Sequence, residues 1–206
     1  MKPMDIEKKS FEIITKELGS KKLDPKNELI IKRVIHTSAD FEYADTLCFS
    51  KDVVDIAVDA IKKGATIVTD TQMVKAGINK RVLGSFGGSV ECFIADEDVA
   101  KEAKEKETTR SAISMEKASN IKGDVIFAIG NAPTALMKIK ELYDMDKINP
   151  VLVIGTPVGF VNVVESKEMI IDSKINSIVS KGRKGGSNIA AAICNALLYI
   201  ASNNQR

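Results

Sequence analysis

GDVIFAIGNAPTAL, residues 123 to 136, decides the fold. Its first half is an apolar run rich in β-branched residues, which reads as a strand. Gly130 and Asn131 then turn the chain, and Pro133 falls where a first helical turn accepts it. NPVLVIGTP (149–157) and INSIVSKG (175–182) repeat the design, each ending in glycine as the chain leaves the sheet. Helical patterns follow each of them, at NAPTALMKIKELYD, VNVVESKEMIIDS and GGSNIAAAICNALLYIASN. Strands alternating with helices in this way define an α/β protein with a mostly parallel sheet flanked by helices. In such sheets ligands sit beyond the carboxyl ends of the strands, so the binding face is expected there.

The same alternation extends towards the N-terminus. LDPKNELIIKRVIHTSAD (23–40) predicts a helix capped by Asp24 with Pro25 at its first position, an apolar stripe of Ile30, Ile31, Val34 and Ile35, and His36 near its end. ADTLCF (44–49) predicts a short strand. SKDVVDIAVDAIKKG (50–64) predicts a helix capped by Ser50, with Val54, Ala57, Val58 and Ile61 inward and Gly64 as its stop. ATIVTD and GSVECFIA are strands, with two helical turns of TQMVKAGI between them closed by Gly77. DEDVAKEAKEKETTRSAISMEKASN (96–120) is expected to form one charged helix with Thr109-Arg110-Ser111 inside it. The chain of 206 residues is therefore expected to be a single domain over 1–206, with an N-terminal helical segment at about 1–38.

Bulk composition narrows the function. Thirty basic against 28 acidic residues give a net charge of +2, too balanced for a protein that coats nucleic acid, so an anionic partner must be met by a local cluster. No apolar run is suited to crossing a bilayer, and MKPMDIEKKS lacks the apolar core and cleavage site of a signal peptide, which points to a soluble, cytoplasmic protein. Cys48, Cys92 and Cys194 are widely separated with no histidine nearby, so they are expected to be reduced, buried and free of metal.

Four segments carry candidate chemistry. The helix start in AIGNAPTAL (128–136) exposes backbone N–H groups suited to an anion, or is simply a well-capped crossover helix. GRKGGSNIAAAICNAL (182–197) puts three glycines, Arg183, Lys184 and Ser187 at the mouth of a small-residue helix, which fits phosphate or carboxylate; a structural turn is the alternative. It lacks the order of a Walker motif, and no Gly-x-Gly-x-x-Gly follows the first strand, so a nicotinamide cofactor is not expected. TPVGFVNVVESKE (156–168) makes a stiff loop with Pro157 and Gly159 that offers Phe160 to a ligand plane, or buries it; Glu165 and Lys167 read as a solvated charge pair. TTRSA (108–112) supplies Arg110, whose planar fork suits a carboxylate. The one histidine, His36, is the obvious side chain for proton chemistry near neutral pH.

Together, RVIHTSADFEYA, TDTQMVKAGI, TRSA, AIGNAPTAL, PVGFVNVVESKE and GRKGGSNIAAA resemble, in order and over nearly the whole chain, the precorrin-8X (cobalt-precorrin-8) methylmutases of cobalamin biosynthesis. The resemblance implies an isomerase that moves a methyl group from carbon 11 to carbon 12 of a corrin-forming tetrapyrrole by a 1,5-sigmatropic shift, with no cofactor and no metal held by the protein. It also implies a homodimer. His36 would hydrogen-bond or protonate the ring-C nitrogen beside the migrating methyl. A flat macrocycle edged with carboxylates needs an apolar floor, for which Met73, Val158 and Phe160 are the candidates with Gly159 between the last two. It also needs separated anion holders, expected from Arg110 and Ser111, from Asn131, Ala132, Pro133 and Thr134 at one helix start, and from Arg183, Lys184, Gly185, Gly186 and Ser187 at another. Asp40 or Glu42 could tune His36 or face solvent. Alternatives from other classes are a non-catalytic corrinoid carrier and a sugar-phosphate or nucleotide enzyme.

Overall fold

A computed structural model describes residues 3–203; residues 1 and 2, part of the expected N-terminal segment, lie outside them. Six strands form one sheet: β1 (Leu47–Phe49), β2 (Thr66–Thr69), β3 (Ser89–Glu91), β4 (Val125–Ile129), β5 (Leu152–Gly155) and β6 (Ser177–Ser180). Their order is β1-β6-β5-β4-β2-β3, parallel throughout except for β1, which pairs antiparallel with β6 through Leu47 and Ser180. The chain is thus a single-domain α/β protein with a mostly parallel sheet.

Alternation along the strands splits the core. Ile67, Ile126, Ala128, Leu152, Ile154 and Ile178 pack under α2 (Glu28–Ser38), α4 (Val53–Lys62), α5 (Gln72–Gly77) and α11 (Ser187–Ala201). Val68, Phe127, Ile129, Val153 and Val179 face α8 (Arg110–Ala118), α9 (Pro133–Asp144) and α10 (Val163–Ile171) on the other side. The central strands β4, β5 and β6 are buried along their whole length, as strands covered on both faces must be. α1 (Pro3–Leu18) lies on α2, where Arg33 is sandwiched between Phe11 and Tyr199 and paired with Glu7 at 2.7 Å.

Several local expectations are corrected. α2 begins at Glu28 and not at Pro25, because the Asp24 carboxylate accepts from the Lys26 N–H and closes a separate turn over 24–27. The expected stripe is nonetheless buried at Ile30, Ile31, Val34 and Ile35. Ser50 does not cap α4; its hydroxyl accepts from the Ser177 N–H at 2.8 Å and so ties β1 to β6. The long charged helix is two helices, α7 (Glu97–Glu105) and α8, broken at Glu107, which adopts φ 48°. Thr109 caps α8 by accepting from the Ala112 N–H at 3.2 Å, so Arg110 opens a helix and is not inside one. A short helix, α6 (Lys80–Ser85), was not anticipated. Among the described residues no helix is long and apolar enough to cross a membrane. Cys92 and Cys194 are buried and Cys48 is half-buried; all three are free thiols, and burial pushes Cys194 up to about 12.

Candidate active site

Parallel pairing brings the carboxyl ends of β6, β5, β4 and β2 to one edge, and the segments that follow them lie side by side there: 181–187, 156–162, 130–134 and 70–73. Because β1 runs antiparallel, its amino end reaches the same edge. The Lys181 N–H donates to the Thr46 carbonyl at 2.7 Å, which carries α3 (Tyr43–Thr46) and the end of α2 towards the glycine-rich turn. His36, in the last turn of α2, is exposed, with its ring 5.7 Å from that of Phe11.

The glycine-rich turn after β6 is held on three sides. Gly185 is pressed onto the β5 turn so closely that a Cβ there would stand 2.2 Å from the Thr156 carbonyl oxygen. Gly186, at φ 134°, donates its N–H to that same oxygen at 2.8 Å. The Lys184 ammonium reaches Asp40 and Glu42, both at 2.7 Å. Those two carboxylates therefore serve Lys184, which raises the ammonium above the usual lysine range and holds Asp40 low. In this arrangement the anion-holding role expected of Lys184 is taken up inside the protein, and the pair links the glycine-rich turn to the end of the histidine helix.

Beneath the turn lies Lys167, which is 0% exposed. The expectation of a solvated Glu165–Lys167 pair is wrong for the lysine: Val163, Ser166, Lys167 and Ile170 form the buried face of α10. Its ammonium donates to the carbonyls of Gly182 and Lys184, each at 2.8 Å. Burial, with no opposing carboxylate, pulls it down to about 8.

A second buried charge corrects another expectation. Asp70, just past β2, is 1% exposed, and its carboxylate accepts from the N–H groups of Gly130, Asn131 and Ala132 at 2.9, 2.8 and 2.7 Å. The anion site read from AIGNAPTAL exists, but the protein's own carboxylate fills it. Burial raises the Asp70 pKa, and the three N–H donors oppose that rise. Gly130 also packs against the Ser187 backbone, leaving no room for a side chain, while the Ser187 hydroxyl meets that of Thr71 at 3.0 Å. Thr134 stays near the surface and bonds Thr109 at 2.8 Å, which brings Arg110 and Ser111 to the 130–134 segment.

The remaining expected residues lie open on this edge. Arg110, Asn131 and Arg183 are exposed, and Arg183 stacks over Phe160 at 5.5 Å. Met73, Val158 and Phe160 are 70%, 49% and 82% exposed, apolar side chains that nothing among the described residues covers. Among the described residues the N–H groups of Arg183, Gly185, Ser187 and Asn188 have no protein acceptor. Asp70 and Lys167 were missed by sequence reasoning. The period of α10 could have revealed the lysine, whereas the partners of Asp70 lie 60 to 62 residues further on.

The edge thus carries exposed apolar side chains, the Arg183 guanidinium stacked on Phe160, and backbone donors without a protein acceptor among the described residues, at the carboxyl end of an α/β sheet. The precorrin-8X methylmutase family model matches residues 5–200, and the chain belongs to that family. It is 44% identical over 203 residues to the cobalt-precorrin-8 methylmutase of Priestia megaterium, covering 98% of this chain and 90% of the relative. The enzyme of the same name from Salmonella typhimurium is 43% identical, with 96% and 95% covered, and the precorrin-8X methylmutase of Pseudomonas aeruginosa is 37% identical, with 93% of each covered. The crystal structure of precorrin-8x methyl mutase from Thermus thermophilus superposes with a TM-score of 0.88 at 34% identity, covering 96% of this chain and 98% of that one. Methylmutases are isomerases, and the chain is an isomerase of that kind; a non-catalytic carrier finds no support among these relatives.

Proposed function

We propose that this isomerase acts on precorrin-8 or its cobalt form, moving the methyl group from carbon 11 to carbon 12 to give hydrogenobyrinate or cobyrinate. The migrating methyl never leaves the macrocycle, so the reaction consumes no second substrate and calls for no cofactor. His36 donates a hydrogen bond or a proton to the ring-C nitrogen, drawing electron density from the conjugated system beside the methyl. Met73, Val158 and Phe160 form the apolar floor. Arg110, Ser111 and Arg183 meet the peripheral carboxylates, together with the free N–H groups around Gly185 and Ser187. Of the β4 turn, Asn131 and Thr134 remain as side-chain contacts, while Ala132 and Pro133 shape the wall. The enzyme works in the cytoplasm as a homodimer, without nucleic acid or membrane partners; a stable, active monomer in light scattering would refute the dimer.

What supports this reading is that the only histidine is exposed in the last turn of α2, and that Asp40 and Glu42, just beyond that helix in the chain, pair with Lys184 of the glycine-rich turn. Positioned general acids contribute about 10² to 10⁴ in rate, equivalent to about 3 to 5.5 kcal/mol. His36→Ala is expected to lose a factor of that order in single-turnover rearrangement, followed by the absorption change of metal-free and cobalt-bearing substrate in turn. Binding should largely survive, and His36→Asn should rescue poorly because an amide cannot deliver a proton at accessible cost. Near-normal turnover in His36→Ala would overturn the role.

A further inference from the structure

Lys167 is an expensive residue for a fold to keep. It is wholly buried, it faces no carboxylate among the described residues, and an apolar side chain of its length would fill the same space. What it touches explains its presence. The ammonium donates to two carbonyls of the glycine-rich turn, those of Gly182 and Lys184. In a trans peptide the C=O of one residue and the N–H of the next point in opposite directions. Drawing these two carbonyls down onto Lys167 therefore turns the N–H groups of Arg183 and Gly185 away from it, towards the open side of the turn. Those are two of the donors without a protein acceptor among the described residues. The Ser180 hydroxyl also donates to the Lys184 carbonyl, at 3.0 Å, and fixes the same peptide from the strand side.

We propose that Lys167 is a positioning residue for substrate binding: from inside the protein it sets the peptide orientations of the 182–185 turn, so that the outward N–H groups and Arg183 meet a substrate carboxylate. The inference rests on the tetrapyrrole reading of this edge and adds to it a residue that never touches the ligand. Gly182, at φ 75°, and Gly185, pressed onto the Thr156 carbonyl, allow the turn this shape, and Lys167 selects it. Without the ammonium the Gly182 carbonyl loses its donor and the Lys184 carbonyl keeps only the Ser180 hydroxyl, so the Gly182 peptide is free to rotate outward and present oxygen to an anion. α10 packs against α9 and β6, and no acid or base on those elements, on α10 itself or on the turn (Glu165, Glu168, Lys181, Arg183 and Lys184 included) contributes to the state of Lys167, which burial alone perturbs. The ammonium form prevails below about pH 8 and the amine above it.

The test is titration of the full-length protein with hydrogenobyrinate between pH 7 and 9, together with single-turnover rearrangement at saturating enzyme, for wild type and Lys167→Met. Losing a charge-assisted hydrogen-bond donor behind the anion site should weaken hydrogenobyrinate binding at pH 7 by about tenfold or more. Wild-type affinity should fall as pH rises through 8, and that limb should be absent from Lys167→Met. The saturated rearrangement rate should fall much less than the affinity, since His36 is untouched. Equal affinity of the two proteins at pH 7, or a limb that persists in the variant, overturns the proposal. If Lys167→Met does not fold, Lys167→Gln, which removes the charge but keeps a polar side chain there, takes its place: wild-type affinity at pH 7 in that variant overturns the proposal, and a loss of affinity supports it. Wild type that neither binds hydrogenobyrinate nor rearranges substrate would instead overturn the tetrapyrrole reading and this inference with it.

Discussion

Replacing Asp70 by asparagine should loosen the turn between β4 and α9. The carboxylate is 1% exposed and has three backbone donors converging on it: Gly130 on one oxygen, Asn131 and Ala132 on the other. An amide of the same shape offers a single acceptor oxygen. If that oxygen keeps Asn131 and Ala132, the NH2 group faces the Gly130 N–H; if it keeps Gly130, the NH2 group faces two donors. The better orientation still loses one bond outright and leaves a buried donor unpaired, at about 1 to 3 kcal/mol, and reduces two charge-assisted bonds to neutral ones at about 1 kcal/mol each. Relief from burying a charge, the same effect that raises the Asp70 pKa, offsets part of this.

The net expectation is a loss of about 3 kcal/mol, which for a domain of this size lowers Tm by about 6 to 12 °C. Circular dichroism melting at pH 7, with urea unfolding as a second measure, would read it. Turnover measured well below the new Tm should fall as well, because the turn also carries Thr134 and its link to Thr109. A Tm within about 2 °C of wild type would refute the reasoning. It would mean that water or a shifted backbone satisfies the three N–H groups as well as the carboxylate does.

Two further outcomes follow from the same geometry. Gly185→Ala places a Cβ 2.2 Å from a backbone oxygen that cannot move aside, so it should cost about 3 kcal/mol or more, whereas Gly84→Ala, in open space within α6, should stabilise by about 0.5 to 1 kcal/mol. Equal Tm values for these two variants would contradict the packing of the glycine-rich turn. Arg183→Ala and Arg110→Ala remove exposed guanidinium groups, so each should leave Tm nearly unchanged while weakening tetrapyrrole binding by about tenfold and reducing its sensitivity to salt. Unchanged affinity in both variants would remove these arginines from the site.

Most of the architecture was legible because its determinants are local. The strand–glycine–helix junctions at Gly130, Gly155 and Gly182 announce a parallel sheet, and the apolar periods of α2 and α4 announce which faces are buried. The errors fall where a side chain pairs with a backbone group that the local pattern ignores. Asp24 and Ser50 look like helix caps, yet one closes its own turn and the other holds β6. Thr109 reads as helix interior although it is a cap, because charged residues run on both sides of it without a change in composition.

The surface residues expected at the site are exposed, whereas the buried charges beneath them were not anticipated. Arg110, Arg183, Phe160, Met73 and His36 are all exposed. The groups that shape the edge are charges that sequence statistics assign to solvent. Base rates favour a solvated Lys167, and so does its place between Glu165 and Glu168, but its register with Val163 and Ile170 puts it on the buried face. Asp70 offers no such clue, because its partners come from the neighbouring strand's turn and parallel pairing of β2 with β4 is needed to bring them together. The two buried charges act in complementary ways. Asp70 consumes the N–H groups of one turn, which closes that turn to anions, while Lys167 consumes the carbonyls of the next and leaves its N–H groups pointing outward. On the proposed reading, an anion arriving at this edge would be directed to the glycine-rich turn after β6, beside Arg183 and near where Lys184 pairs with Asp40 and Glu42.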